Sequence, residues 1–246
     1  MGKDLIKTDA SDGFMIAGED GKPRELMKDT FEQLGIDKYQ LPRISIPTAG
    51  MTQFQIPTLE GEEMAPELMV IMVAIKGNEK AWWREEFSGG GAPPDCSSHD
   101  GQFGIGTNSL DPEAESGKWP CADCTWNQFE SSRSGSKGKD CRDMAFLYFF
   151  REKSILPDLM IVPATSLKSV REYMTRLISN GKALAGVVTR FTLTKAQSQG
   201  GITYSQLALG YVRDLSEEES ERISGVANAI KEVSRTAAID VSDLNS

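Results

Sequence analysis

The chain predicts a mainly β fold with helices: an OB-like Greek-key barrel with an inserted zinc ribbon or knuckle. Three observations predict it. Short alternating segments recur between Pro and Gly from residue 41 onward. A well-marked helical period precedes a final hairpin, where a five-stranded OB barrel places its helix. All four cysteines and the only histidine fall in one Gly/Ser/Asp-rich stretch, residues 89–143. The competing fold is a plain α+β sandwich.

Residues 1–40 read as a polar, acidic arm with a short helix around Leu26–Leu34. Arg43–Pro47 and Thr52–Ile56 alternate about Gly50, which predicts a hairpin. Glu67–Lys76 is a dense apolar strand, Asn78 interrupts it, and Ala81–Arg84 reads as a second strand. Residues 88–143 are the insertion. Met144–Arg151 and Leu159–Val162 return as strands. Thr165 or Ser166 can cap a helix that Gly181 stops, with Leu167, Val170, Met174, Leu177 and Ile178 on its apolar face. Ala185–Lys195 and Ile202–Val212 form the last hairpin. Ser216 and Glu219 resemble a capping box for a helix over roughly 217–236. The organisation is therefore a 1–40 arm, a 41–215 OB-like domain with its insertion at 88–143, and a 216–246 C-terminal helix with a short acidic tail.

Hydrophobic content of 39% over 246 residues is enough for a core. The first twenty residues hold no apolar h-region, and the longest apolar run, Leu68–Ile75, is too short to span a bilayer. The expectation is a soluble cytoplasmic protein with no membrane partner. A reducing compartment favours metal over disulfides for the cysteines. The net charge is −9, but its distribution is uneven. Residues 127–213 carry 13 Lys/Arg against 6 Asp/Glu, while both flanks are net acidic. A basic middle between acidic flanks suits a protein that holds a polyanion in one groove.

Cys121-Ala-Asp-Cys124 is a CxxC knuckle, and Cys141 adds a third thiol. The fourth ligand of a tetrahedral zinc is Cys96 or His99, with Cys96 favoured. Such a zinc is structural and orders a loop that has no core of its own. No HExxH is present. Pro120-Cys-Ala-Asp-Cys124 matches half of a deaminase signature, but Asp100-Gly101 follows His99 where that signature has x-Glu. The chain is read as a binding protein, not an enzyme.

Single-strand binding needs aromatic faces for bases and cations for phosphates. Aromatics adjoin basic residues at Trp82-Trp83-Arg84, at Trp126 and Phe129 ahead of Arg133, Lys137 and Lys139, and at Phe146–Phe150 ahead of Arg151. Stacking candidates are Trp82, Trp83, Trp126 and Tyr148. Phosphate candidates are Lys137, Lys139, Arg142, Arg151 and Arg190. For each aromatic the competing role is core packing.

The runs Pro93–Gly101, Cys121–Phe129 and Gly138–Arg142, with Leu156-Pro157 and Pro163–Lys168, resemble proteins encoded by phages and integrative elements. The plan, an OB barrel with a zinc loop, is similar to the single-stranded DNA-binding proteins of T-even phage replication. In that family the ligands are three cysteines and one histidine, and the tail is acidic. Here the cysteine spacing differs, and Asp240–Ser246 is only weakly acidic. The resemblance covers roughly residues 41–215. It implies a sequence-independent single-stranded DNA-binding protein that protects or organises DNA in phage or mobile-element replication or recombination. Its setting would be the cytoplasm of a bacterial host cell, with replication or recombination proteins as partners. The competing function is a zinc-ribbon module that docks on another protein of a replication or transcription complex.

Overall fold

The computed structural model describes residues 14, 41–84, 94–106, 117–133, 135–152, 154, 156–198, 200–224 and 227. Among them the fold is mainly antiparallel β-sheet with two helices. The elements in chain order are β1 (Phe54–Thr58), β2 (Gly61–Ala65), β3 (Glu67–Trp82), β4 (Cys96–Ser98), β5 (Phe103–Gly106), β6 (Gly117–Pro120), β7 (Arg142–Arg151), β8 (Asp158–Pro163), α1 (Ala164–Ser179), β9 (Val187–Gln197) and β10 (Thr203–Asp214). Residues 217–224 form the second helix.

β3 organises the sheet. At 16 residues it spans roughly 50 Å. β7 runs along one edge, and β8 pairs outside β7. The other edge is shared: β9 takes Glu67–Val70 and β4 takes Lys80–Trp82. β10 lies outside β9, while β5 and β6 continue from β4 as a meander. The expected break at Asn78 does not occur. The β3–β7 register shifts between Lys76 and Glu79, and Asn78 takes a positive φ of 62° there, so the strand continues through a bulge.

Both faces of this sheet are buried, which explains the unbroken apolar runs in β3 and β7. Val70, Met72, Leu147 and Phe149 face α1 and β1, together with Phe191 and Leu207. Ile71, Val73, Phe146, Tyr148 and Phe150 face the opposite way, against Phe14, Ile223 and Ala227. α1 buries Leu167, Val170, Tyr173 and Leu177, while Ile178 is exposed, so Tyr173 replaces it on the core face. The Tyr173 hydroxyl hydrogen-bonds Thr189 Oγ1 at 2.8 Å, linking α1 to β9.

The barrel is not closed, which corrects the Greek-key barrel expectation. Among the described residues β8 forms a ladder only with β7, and β10 only with β9. The gap between them is crossed by residues 41–51 and by the start of α1. Ile44 N–H donates to Leu159 O at 3.0 Å beside β8, and Ser205 Oγ donates to Met51 O at 2.7 Å beside β10. The alternating Arg43–Pro47 segment makes only isolated bridges, to Leu159 and Gln55, because Pro42 and Pro47 have no N–H for a ladder. Gly50 is required at the crossing. Its φ is 75°, and a Cβ there would lie 2.5 Å from Thr203 Cγ2. Ser166 does not cap α1. It is buried and accepts the Leu207 N–H at 3.0 Å, while Ser169 Oγ donates to Leu207 O.

The capping box is present. Glu219 N–H donates to Ser216 Oγ at 3.2 Å, and Ser216 N–H donates to Glu219 Oε2 at 2.9 Å. The expected extension of this helix beyond 227, the 239–246 tail, and the Leu26–Leu34 helix lie outside the described residues. No helix among the described residues is long and apolar enough to cross a membrane.

The cap gives a pH prediction. Hydrogen bonding from Arg213, at 2.7 and 2.8 Å, is the main force that holds the Glu219 carboxyl down at about 2, against an ordinary 4.5. A depressed carboxyl contributes stability above its unfolded value and loses it as pH falls toward the folded one. Far-UV circular dichroism should show native helix being lost between pH 4.5 and 2. In Glu219→Gln that transition should be missing, its share of signal being lost already at neutral pH. Identical acid curves would refute the role of this contact.

Candidate nucleic-acid interface and cysteine knuckle

Four thiols from three separate segments meet at the far end of β3. Cys96 starts β4, Cys121 and Cys124 flank the turn after β6, and Cys141 directly precedes β7. Together they line one cavity of about 30 Å³. Cys121 N–H donates to Gln102 O at 2.7 Å, and Cys141 N–H donates to Trp126 O at 2.8 Å, so backbone bonds fix both ends of the knuckle. Gly104 forms its floor. A Cβ there would lie 2.6 Å from Cys96 Sγ and 3.9 Å from Cys121 Sγ. Burial, followed by the neighbouring Cys121 and Cys124, pushes the Cys96 thiol up to about 11. Burial likewise pushes Cys141 up to about 12, with Lys80 opposing it.

Among the described residues, no group of three or more His, Cys, Asp or Glu side chains is placed so that it could hold a metal ion. The residue types are those that zinc sites use, four thiols lining one cavity, with a glycine where any side chain would intrude. His99 is not in this lining. Its Nδ1 lies 2.9 Å from Glu79 Oε2 and 3.4 Å from Lys76 Nζ, in a separate polar cluster around the β3 bulge.

The tryptophans hold the knuckle onto the sheet. Trp82 of β3 stacks on Trp126 with centroids 5.5 Å apart and planes at 16°. Trp82 Nε1 donates to Asp140 Oδ2 at 2.8 Å, and Arg133 Nε donates to the same oxygen at 2.8 Å. Beside this stack, Asn127 Nδ2 donates to Cys121 O at 2.7 Å, while Asn127 Oδ1 accepts from Lys80 at 3.0 Å and Lys139 at 3.1 Å. Both lysines also reach Asp143. Burial alone would raise the Asp143 carboxyl, but the two lysines hold it below its ordinary value.

The structure places the stacking and phosphate candidates in different surroundings. Trp82, Trp83 and Tyr148 are buried and present no face to a ligand. Trp126 is spent on Trp82. Arg151 makes a two-pronged pair with buried Asp158, at 2.8 and 3.0 Å, and Arg190 lies 3.6 Å from Glu67. Lys137 is exposed but lies outside the groove described next. Lys139 and Arg142 do line it.

That groove, of about 910 Å³, runs along the open seam of the sheet. Residues 43–49 form one wall, and the start of α1 and the 202–205 end of β10 form others. The knuckle closes one end with Phe129, Lys139 and Cys141–Asp143. Its charge is one-sided: Arg43, Lys139, Arg142, Lys168 and Arg171 stand against Asp143 alone. Phe129 is 77% exposed, with Lys139 Nζ 5.3 Å from its ring centroid, and Tyr204 is half-buried in the same lining. Sequence reasoning passed over Arg43, Lys168, Arg171 and Tyr204, which come from three distant segments. The outward helical face at Lys168 and Arg171 was the one available signal.

The chain matches no protein-family model, no curated protein and no solved structure.

Gly104→Ala tests the knuckle. Its methyl group would displace Cys96 Sγ, so, on the zinc reading proposed below, the purified variant should hold clearly less zinc per chain than the unaltered protein. Equal metal content, measured by mass spectrometry of the intact holo-protein, would show that these sulfurs do not gather over Gly104.

Proposed function

We propose that the chain binds single-stranded DNA in the seam groove, without sequence preference, as part of phage or mobile-element replication or recombination. The observation that carries this reading is the groove itself: five cations against one carboxylate, with an exposed Phe129 at the rim. Arg43, Lys168 and Arg171 would meet phosphates, and Phe129 and Tyr204 would take bases.

Cys96, Cys121, Cys124 and Cys141 would hold a structural zinc. A bound zinc would fix the knuckle as a cross-link and lend no reactive chemistry. The chain's own residues carry its effect to the groove. Asn127 ties the Cys121 carbonyl to Lys139, and Lys139 stands beside Phe129 on the groove rim.

A second reading, docking of the knuckle on another protein, is favoured by Phe103 and Ile105. Both are exposed on one face of β5, beside Lys118 and Pro120 of β6.

Titration against fluorescent oligo-dT and a matched duplex, at two salt concentrations, separates the readings. Binding confined to the single strand, with a steep salt slope from counterion release, is expected. Phe129→Ala should cost about 1–3 kcal/mol of affinity, as loss of a stacking face does. Arg171→Glu should weaken binding and flatten the salt slope. Absence of oligo-dT binding in zinc-loaded protein would overturn the reading and favour the docking one.

Chelation is the independent check on the knuckle. Stripping zinc should weaken oligo-dT binding while the sheet stays folded by circular dichroism. Unchanged affinity after verified metal removal would sink the structural role given to it.

A further inference from the structure

The β1–β2 hairpin has a feature the fold does not explain. β1 buries Phe54 and Ile56 in the core beneath it. β2 has no buried residue: Gly61, Glu62, Glu63 and Met64 are all exposed, and Ala65 is half-covered. A two-stranded ribbon with both faces of one strand in solvent is marginal on its own. Its tip carries Leu59 at 107% exposure, held out by a tight turn in which Thr58 Oγ1 donates to Gly61 O at 3.1 Å. Glu60, Glu62 and Glu63 follow that leucine in the chain, and neither Glu60 nor Glu63 has an ion-pair partner among the described residues. The hairpin thus presents an apolar tip next to a run of carboxylates, on a strand that serves no core.

The matching surface is on the same chain. The seam groove has an apolar floor that includes Ile44, Ile46, Met144 and Leu167, and its rim holds five cations against one carboxylate. Arg171 in that rim has no ion-pair partner among the described residues. Hairpin and groove are complementary in both charge and apolarity. No hairpin residue lines the groove of its own chain.

We propose that the acidic β1–β2 hairpin docks, Leu59 foremost, into the seam groove of a second copy of this chain. The contact is heterologous: each copy offers a hairpin and receives one, so association runs head to tail. Because hairpin and nucleic acid would use the same cations, the two compete, and a single strand releases the neighbour. The competition rests on the single-strand reading of the groove; the docking itself rests on the complementarity of the two surfaces.

Sedimentation velocity on the full chain, over a concentration series at low and high salt, tests this. Association that rises with concentration and falls with salt is expected. Glu60→Lys with Glu63→Lys, or Lys168→Glu with Arg171→Glu, should each weaken it by about tenfold or more. All four side chains are exposed, so folding should survive, which circular dichroism checks. A chain carrying both pairs of reversals restores opposite charges and should regain association. Rescue supports docking; weakening without rescue, or no effect from either pair, overturns it. Excess oligo-dT should return the unaltered protein to monomer. If oligo-dT binds but charge reversal leaves association unchanged, docking fails and the single-strand reading stands. If the charge swap rescues while oligo-dT does not bind, the single-strand reading fails alone.

Discussion

The constraint that shapes this molecule is that β8 and β10 never pair. A closed barrel would have joined them and consumed the space now lined by the groove. Two prolines and a glycine in residues 42–50 keep the crossing segment from laddering, so it bridges the gap with single hydrogen bonds. Ser166 and Ser169 tie the start of α1 to Leu207 and hold the far wall at a fixed distance. The seam is therefore a supported gap, held open by backbone and serine hydrogen bonds at its walls.

The knuckle depends on that frame and adds to it. Its own residues bury little, and its hold on the sheet comes from the Trp82–Trp126 stack and the Lys80, Lys139, Asn127 and Asp143 network. The aromatics that would have been attractive binding platforms are spent as anchors. Outside the stack stands Phe129, 77% exposed on the groove rim. The division is physical: an indole stacked in the interior cannot also accept a base, while a phenyl ring at a loop tip has nothing else to cover it.

Local signals were legible in the sequence. The capping box at Ser216, the last hairpin and the α1 period each depend on neighbours a few residues away, and each appears near where its pattern lies. The gathering of Cys96, Cys121, Cys124 and Cys141 was also legible, because clustering in a polar stretch is a compositional fact. What depended on distant neighbours was not. Asn78 looked like a stop because a bulge compensates for it only when β7 is alongside. Ser166 looked like a cap because Leu207, 41 residues away, takes its oxygen. Tyr148 looked like a possible surface ring because alternation cannot reveal that both faces of a sheet are covered. Arg43, Lys168 and Tyr204 share a groove only through the fold.

The second covered face has its own consequence. Phe146, Tyr148 and Phe150 are sheltered by Phe14, Ile223 and Ala227, residues from far outside the central sheet. A fragment trimmed to residues 41–215 would keep every strand and the whole groove, yet lose Phe14, Ile223 and Ala227 from the cluster that buries these three rings.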